Sequence, residues 1–205
     1  MRVNRNIFLV DDDLAVCKAL SVFLKATGCR VKTYQSAETF LKEVEYTVEG
    51  IMLLDIRMPG MSGLELQAEL ARRGIALPII FITGHGDVQM SVKAIKAGAT
   101  DFLEKPFSNE KLLESIDEAF SQADDSKKHR QATAKTKQRH AALTEREREV
   151  MQHVVAGMSN RDLAELLGLS QRTIESHRLS IMKKMGAESL PDLVRKYSMC
   201  QQAGL

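Results

Sequence analysis

The chain has 205 residues, 44% of them hydrophobic and 27% charged, with 3 Cys, no Trp and a formal net charge of +2. That length suits one domain of about 125 residues beside a smaller one, and the composition excludes disordered and fibrous chains. No apolar run approaches the roughly 20 residues of a membrane span, and the scattered Cys17, Cys29 and Cys200 exclude a disulfide framework or a thiolate zinc site and read as structural.

Met1 to Arg5 lead straight into a strand-like run, so no signal peptide is expected and the protein reads as cytoplasmic. Residues 1–122 then alternate short apolar runs with amphipathic segments, the pattern of βα units around a parallel sheet. Residues 7–10 predict the first strand, and 14–27 a helix with Val16, Ala19, Leu20 and Phe23 on one face, stopped by Gly28. Residues 30–34 and 37–44 predict the second strand and helix. The third strand, 51–54, lacks alternation and should be buried on both faces, with a helix over 64–73 behind it. Strands over 78–82 and 101–103 and helices over 88–96 and 109–122 complete five units, and right-handed crossovers make the sheet doubly wound.

The net charge conceals an asymmetry. Residues 1–125 carry 14 Lys and Arg against 19 Asp and Glu, net −5, whereas residues 126–205 carry 15 against 8, net +7. A basic C-terminal third points to a polyanion partner. Residues 123–141 lose the apolar pattern, and Lys127, Lys128, Arg130, Lys135, Lys137 and Arg139 follow Asp125 with no acid before Glu145. The segment reads as a linker, helical in part, with direct contact to nucleic acid as the alternative to a solvated tether. Thr144 and Glu147 then form a capping box ahead of a helix to Val155. Helices over 160–167 and 171–185, joined through Gly168, Leu169 and Ser170, fit a helix-turn-helix, and 190–198 predicts a fourth helix.

Ligands of an open parallel sheet sit outside the carboxyl ends of its strands. Here the first strand runs into Asp11-Asp12-Asp13, the third ends at Asp55, the fourth at Thr83, and the fifth is followed by Lys105-Pro106. Any one of these alone reads as a solvated loop residue; together they read as a site. Asp11, Asp12 and Asp55 stay ionised side by side only if a cation offsets them, and carboxylate oxygens with water suit Mg²⁺. Pro59, Gly60 and Gly63 shape the following loop so that its backbone leaves room for an incoming group.

On these residues, 5–122 resemble the receiver domain of two-component response regulators. The resemblance implies an α/β, flavodoxin-like (βα)5 domain with sheet order 2-1-3-4-5. It implies that Asp11, Asp12, Asp55 and the backbone carbonyl of Arg57 hold Mg²⁺ (or Mn²⁺), and that Asp55 accepts a phosphoryl group from a sensor histidine kinase. Lys105 then offsets charge on the transferring oxygens. Thr83 and Phe102 act as the switch, the hydroxyl turning to the phosphoryl oxygen and the ring filling the vacated space, with plain core packing left open for Phe102. Lys105-Pro106 is implied to be cis, and Asp13 receives no metal role. His85, two residues beyond Thr83, either influences phosphoryl lifetime or belongs to a surface loop.

The stretch LTEREREVMQHVVAGMSNRDLAELLGLSQRTIESHRLSIMKKM resembles the LuxR-type helix-turn-helix, and the two domains together, with GHGD and FLEKPF, resemble the FixJ subclass of the NarL/FixJ family. The resemblance divides the chain into a receiver over 1–122, a linker over 123–141 and an all-α, four-helix DNA-binding domain over 142–205, whose 171–185 helix enters the major groove. At about 100° per residue, Ile174, His177, Ile181 and Met185 share a face expected in the core, with His177 packed rather than reading DNA. Arg172, Thr173, Glu175, Ser176, Leu179 and Lys183 are the expected contacts, Leu179 suiting a thymine methyl, with Asn160 and Arg161 reaching phosphates.

The expected function is a phosphorylation-controlled transcription factor, not an enzyme, whose output is activation. Its expected partners are a sensor histidine kinase, promoter duplex DNA, RNA polymerase and a second copy of itself, with no membrane contact. A haloacid-dehalogenase-type phosphatase is disfavoured because it needs a second Asp where Arg57 stands. A stand-alone module using its helix-turn-helix for RNA or protein is the other alternative.

Overall fold

The computed structural model describes residues 5–45, 48–84 and 88–202. These fall into two compact units, divided between Ser126 and Lys127.

In the first unit the chain order is β1 (Asn6–Val10), α1 (Leu14–Ala26), β2 (Arg30–Tyr34), α2 (Ala37–Glu43), β3 (Ile51–Asp55), α3 (Gly63–Arg72), β4 (Ile79–Thr83), α4 (Val88–Lys96), β5 (Asp101–Glu104) and the first part, to residue 126, of α5 (Asn109–Ala141). The strands pair in parallel in the order β2-β1-β3-β4-β5, as expected. All residues of β3 and β4 are buried, which accounts for their unbroken apolar sequences; β2, at an edge, is mostly exposed.

Strand periodicity sorts the sheet into two cores. Ile7, Leu9, Ile51, Leu53, Ile80, Ile82 and Leu103 face one way, with Leu24 of α1 and Leu112 and Ile116 of α5. Val10, Met52, Leu54, Ile79 and Phe81 face the other, with Phe40 of α2, Leu66 and Leu70 of α3 and Ala94 of α4. In-register pairing of Val10 with Leu54, Asp55 with Ile82 and Thr83 with Glu104 brings the carboxyl ends of four strands to one edge.

Two local devices set the loops of that edge. Asp13 caps α1, its side chain accepting from the N–H groups of Ala15 at 2.7 Å and Val16 at 3.3 Å, so the third acid of the run is used by the helix. Ser62 and Glu65 form a capping box at the start of α3.

The largest difference from the sequence expectation is α5, which does not stop near residue 122 but continues to Ala141. In the second unit, its residues 127–141 precede α6 (Glu145–Val155), α7 (Asn160–Leu167), α8 (Gln171–Met185) and α9 (Leu190–Gln202). Val150, Met151, Val154, Leu163, Ile174, Ile181, Met185 and Leu193 form its core. Gly168 ends α7 at a φ of 65°, a left-handed cap that a side chain would strain.

Candidate functional site

At the carboxyl edge of the sheet, Asp11 continues the parity of Ile7 and Leu9, Asp55 that of Ile51 and Leu53, and Lys105 that of Leu103. All three therefore point to the α1 and α5 side of the sheet. There the Lys105 Nζ donates to Asp11 Oδ2 at 2.8 Å and lies 3.5 Å from Asp55 Oδ1. Asp55 Oδ2 accepts from the Arg57 N–H at 2.7 Å, and Asp11 Oδ1 from the Asp13 N–H at 2.9 Å. The Lys105-Pro106 peptide is cis.

Asp11 and Asp55 are both buried, at 2% and 7% exposure. Burial pushes the Asp55 carboxyl above its ordinary range, and the like charge of Asp11 adds to this, against the pull of Lys105. Burial would lower the Lys105 ammonium, yet its hydrogen bond and attraction to Asp11, with the charge of Asp55, leave it raised and firmly cationic. The edge thus gathers the carboxyl oxygens of Asp11 and Asp55 about the Lys105 ammonium. A hard divalent ion is the chemical complement of those oxygens.

Asp12 does not share this arrangement: one residue along from Asp11, it is exposed. Among the described residues no three Asp, Glu, His or Cys side chains are gathered so as to hold a metal ion.

Thr83 and Phe102 occupy the opposite face, on the α4 side. Thr83 is 1% exposed at the end of β4, and Phe102, half-buried, packs against the core that contains Phe81, its neighbour in register. His85 lies outside the described residues.

Gly63 serves the site differently from the sequence expectation. A Cβ there would stand 2.2 Å from the Asp55 carbonyl oxygen, so glycine lets α3 begin against the backbone of the site rather than making room for a ligand. Glu38 was not singled out in the sequence. Its carboxylate accepts from the Met61 N–H at 2.9 Å and ties the loop after Asp55 to α2.

In the second unit, Ser170 caps α8, accepting from the Thr173 N–H at 3.1 Å. Ile174, Ile181 and Met185 are buried and His177 is half-buried, while Arg172, Glu175, Ser176, Leu179 and Lys183 are exposed along one arc of the helix. Thr173 is half-buried, its hydroxyl hydrogen-bonded with that of Ser170 at 2.8 Å. Leu179 is 73% exposed. It also borders a cavity of about 260 Å³ lined by Val154, Ile181, Met182, Leu190 and Leu193. Arg161 is exposed, and Asn160 Oδ1 accepts from Arg178 at 2.9 Å, which fixes the start of α7 against α8.

Comparison with known proteins follows the same division. Residues 7–117 match the response regulator receiver domain, and residues 141–197 match the bacterial regulatory proteins of the luxR family. The chain belongs to the FixJ-like two-component response regulators. It is similar to the response regulator protein TmoT of Ectopseudomonas mendocina, 46% identical over 189 residues that cover 92% of this chain and 86% of that one. It is 44% identical to the transcriptional regulatory protein FixJ of Rhizobium meliloti over 92% of this chain and 93% of that one. Among solved structures, the response regulator StyR superposes with a TM-score of 0.82 at 39% identity, covering 95% of this chain and 98% of that one. As a member of this family the response regulator is a transcriptional regulator of a two-component system and not an enzyme, with a LuxR-type DNA-binding domain.

Sequence reading missed how this DNA-binding domain is tied together. Glu147 was legible as the far half of a capping box, but its carboxylate also accepts from Ser180 at 2.7 Å and Lys184 at 2.6 Å on α8. No short-range pattern signals a partner more than 30 residues away. Among the described residues no helix is long and apolar enough to cross a membrane.

Proposed function

We propose that this response regulator is switched by phosphorylation of Asp55, the phosphoryl group coming from a phosphohistidine of a sensor histidine kinase. The observation that carries the reading is the meeting of Asp11, Lys105 and Asp55 at the carboxyl edge of the sheet. An Asp55 carboxylate oxygen attacks phosphorus as the N–P bond of the donor breaks, and the donor imidazole leaves with the bonding pair. The Arg57 N–H holds one Asp55 oxygen and orients the other. Lys105, already cationic between the two acids, offsets the charge on the equatorial oxygens of the transferring group.

Mg²⁺, or Mn²⁺, held by Asp11, Asp12, Asp55 and the Arg57 carbonyl, would supply further charge neutralisation. Thr83 donates its hydroxyl to the phosphoryl oxygen and Phe102 follows into the space it leaves. Their common face and diagonal placement across β4 and β5 support that coupling.

Phosphorylation then governs dimerisation, DNA binding and transcriptional activation, with RNA polymerase as the downstream partner in the cytoplasm. Val92 and Ile95 of α4, 44% and 47% exposed, offer an apolar strip for pairing two receivers. The receiver is taken as residues 1–122, the connecting segment as 123–141 and the DNA-binding domain as 142–205. In the last, α8 lies in the major groove and presents Arg172, Thr173, Glu175, Ser176, Leu179 and Lys183, with Asn160 and Arg161 at the phosphates. Converting a 1:99 equilibrium into 99:1 requires about 5.5 kcal/mol of bias between the two states.

The test is labelling with acetyl phosphate and Mg²⁺, followed by selection from random duplex DNA with and without the phosphodonor. Acid-labile phosphate absent from Asp55→Asn, with recovery of paired half-sites enhanced by phosphorylation, is the expected result. Labelling of Asp55→Asn at the wild-type level rejects the assignment.

A further inference from the structure

We propose that the C-terminal part of α5 is a second DNA-contacting element, whose Lys128 and Lys135 bind the phosphate backbone flanking the duplex segment read by α8. The proposal rests on the reading of α8 as the groove helix and adds to it a surface outside the helix-turn-helix. Six Lys and Arg lie between Lys127 and Arg139, with no acid before Glu145. This segment is helical and belongs to the same compact unit as α6 to α9.

Its position in that unit is set by Arg139. The Arg139 Nη1 donates to the carbonyl of Met185, the last residue of α8, at 3.1 Å, and the guanidinium packs where a side chain at Gly186 would stand. Lys196 donates to the neighbouring Gly186 carbonyl at 2.5 Å. Two cations therefore cap the negative end of α8. The end of α5 is fastened to the end of the helix whose exposed arc carries Arg172, Ser176 and Lys183.

Helical periodicity decides which basic residues continue from that anchor. Lys135 and Lys128 precede Arg139 by 4 and 11 residues and fall within about 40° of it around the helix. They form a stripe of about 16 Å at 1.5 Å per residue. Both are exposed. Thr136, 5% exposed, with the half-buried Thr133 and His140, marks the side packed on the domain. Arg130, also exposed, lies about 200° from Lys128 and so on the other flank of that packed side.

A groove-bound helix has a phosphate strand running past each of its ends. A cationic stripe starting at the end of α8 meets that strand, and its long, flexible ammonium groups suit phosphate contact without base reading. The partner is duplex nucleic acid, engaged through charge irrespective of sequence.

The experiment is fluorescence anisotropy of the full chain, phosphorylated with acetyl phosphate and Mg²⁺, on a labelled mixed-sequence duplex of about 40 base pairs, across a series of salt concentrations. Lys135→Gln is expected to reduce the slope of log K against log salt by about 0.9 per bound protomer, and Lys128→Gln/Lys135→Gln by about 1.8. Arg130→Gln, which removes the same charge from the other flank, should leave the slope at the wild-type value. Equal losses for Lys135→Gln and Arg130→Gln overturn the proposal in favour of a diffuse field. Unchanged slopes in both, with a reduced slope in Lys183→Ala, overturn it while sparing the groove reading of α8. A wild-type chain that binds no duplex overturns both. Unchanged thermal unfolding of the Gln variants excludes loss of fold as the cause of any reduced slope.

Discussion

Gly63 lies against Asp55: a Cβ at position 63 would stand 2.2 Å from the Asp55 carbonyl oxygen and 3.1 Å from the Ile56 Cα. Both atoms belong to backbone, which cannot swing aside as a side chain can. The first residue of α3 is thereby part of the wall that positions Asp55, the proposed phosphoacceptor. Gly63→Ala is expected to cost about 1–3 kcal/mol in receiver stability and to lower the rate of acetyl phosphate labelling even where folding is retained. Urea unfolding and labelling kinetics on the same preparation measure the two losses; wild-type values for both would show that the loop absorbs the methyl group.

Asp12 is exposed, unlike Asp11, so its removal tests the proposed metal role apart from folding. Asp12→Ala without metal should be within about 0.5 kcal/mol of wild type. With Mg²⁺ at a hundred times its Kd the wild type should gain about 2.7 kcal/mol by mass action, a gain that Asp12→Ala loses in large part. Thermal unfolding with and without Mg²⁺ reads this directly. An undiminished gain in the variant would remove Asp12 from the ligand set.

Glu147 is 5% exposed, and burial alone would raise its carboxyl. The donors Lys184, Ser180 and Thr144 outweigh burial and hold it at about 2, below the ordinary 4.5. A depressed acid contributes stability that is present above its unfolded value and lost as pH falls through its folded one. The Glu147 contribution is therefore full above pH 4.5 and disappears towards pH 2. Glu147→Gln should cost about 2 kcal/mol at neutral pH, and the gap to wild type should close on acidification across that window. Chemical unfolding of the DNA-binding unit at several pH values tests it; a gap independent of pH would mean that packing, not charge, makes the contribution.

Lys183 and Leu179 share the exposed arc of α8 but should fail differently. Lys183→Ala should weaken binding to every duplex and reduce the salt slope by about 0.9. Leu179→Ala should leave the slope intact and cost about 1–3 kcal/mol only on sequences that place a thymine methyl beneath it. Salt titrations on a selected site and on a scrambled one distinguish the two. A sequence-selective loss for Lys183→Ala would contradict its phosphate role.

Much of this response regulator could be read from local pattern. The apolar run ending at Asp55, the acids after Val10, the lysine before Pro106 and the Gly168 break between two helices are short-range signals, because strand ends and helix caps depend on neighbours in the chain. The α5 boundary escaped that reading because a polar, basic stretch has no apolar period to follow. Helix there is supported by straight-chain Lys, Arg and Gln with Ala, whose propensity looks the same in a tether.

The sequence by itself determined which chemical groups end each strand and which residues line the exposed arc of α8, since both follow from the two- and 3.6-residue periods of the backbone. Tertiary structure alone decided which of those groups meet. Sheet register turned Asp11, Asp55 and Lys105 to one face and Thr83 and Phe102 to the other, and left Asp12 at the surface. Packing alone joined Arg139 to Met185 and Glu147 to Lys184, contacts spanning 46 and 37 residues of chain that no local pattern encodes. Such contacts form only when the burial of apolar faces brings distant segments together, after which charge and hydrogen bonding select the partners.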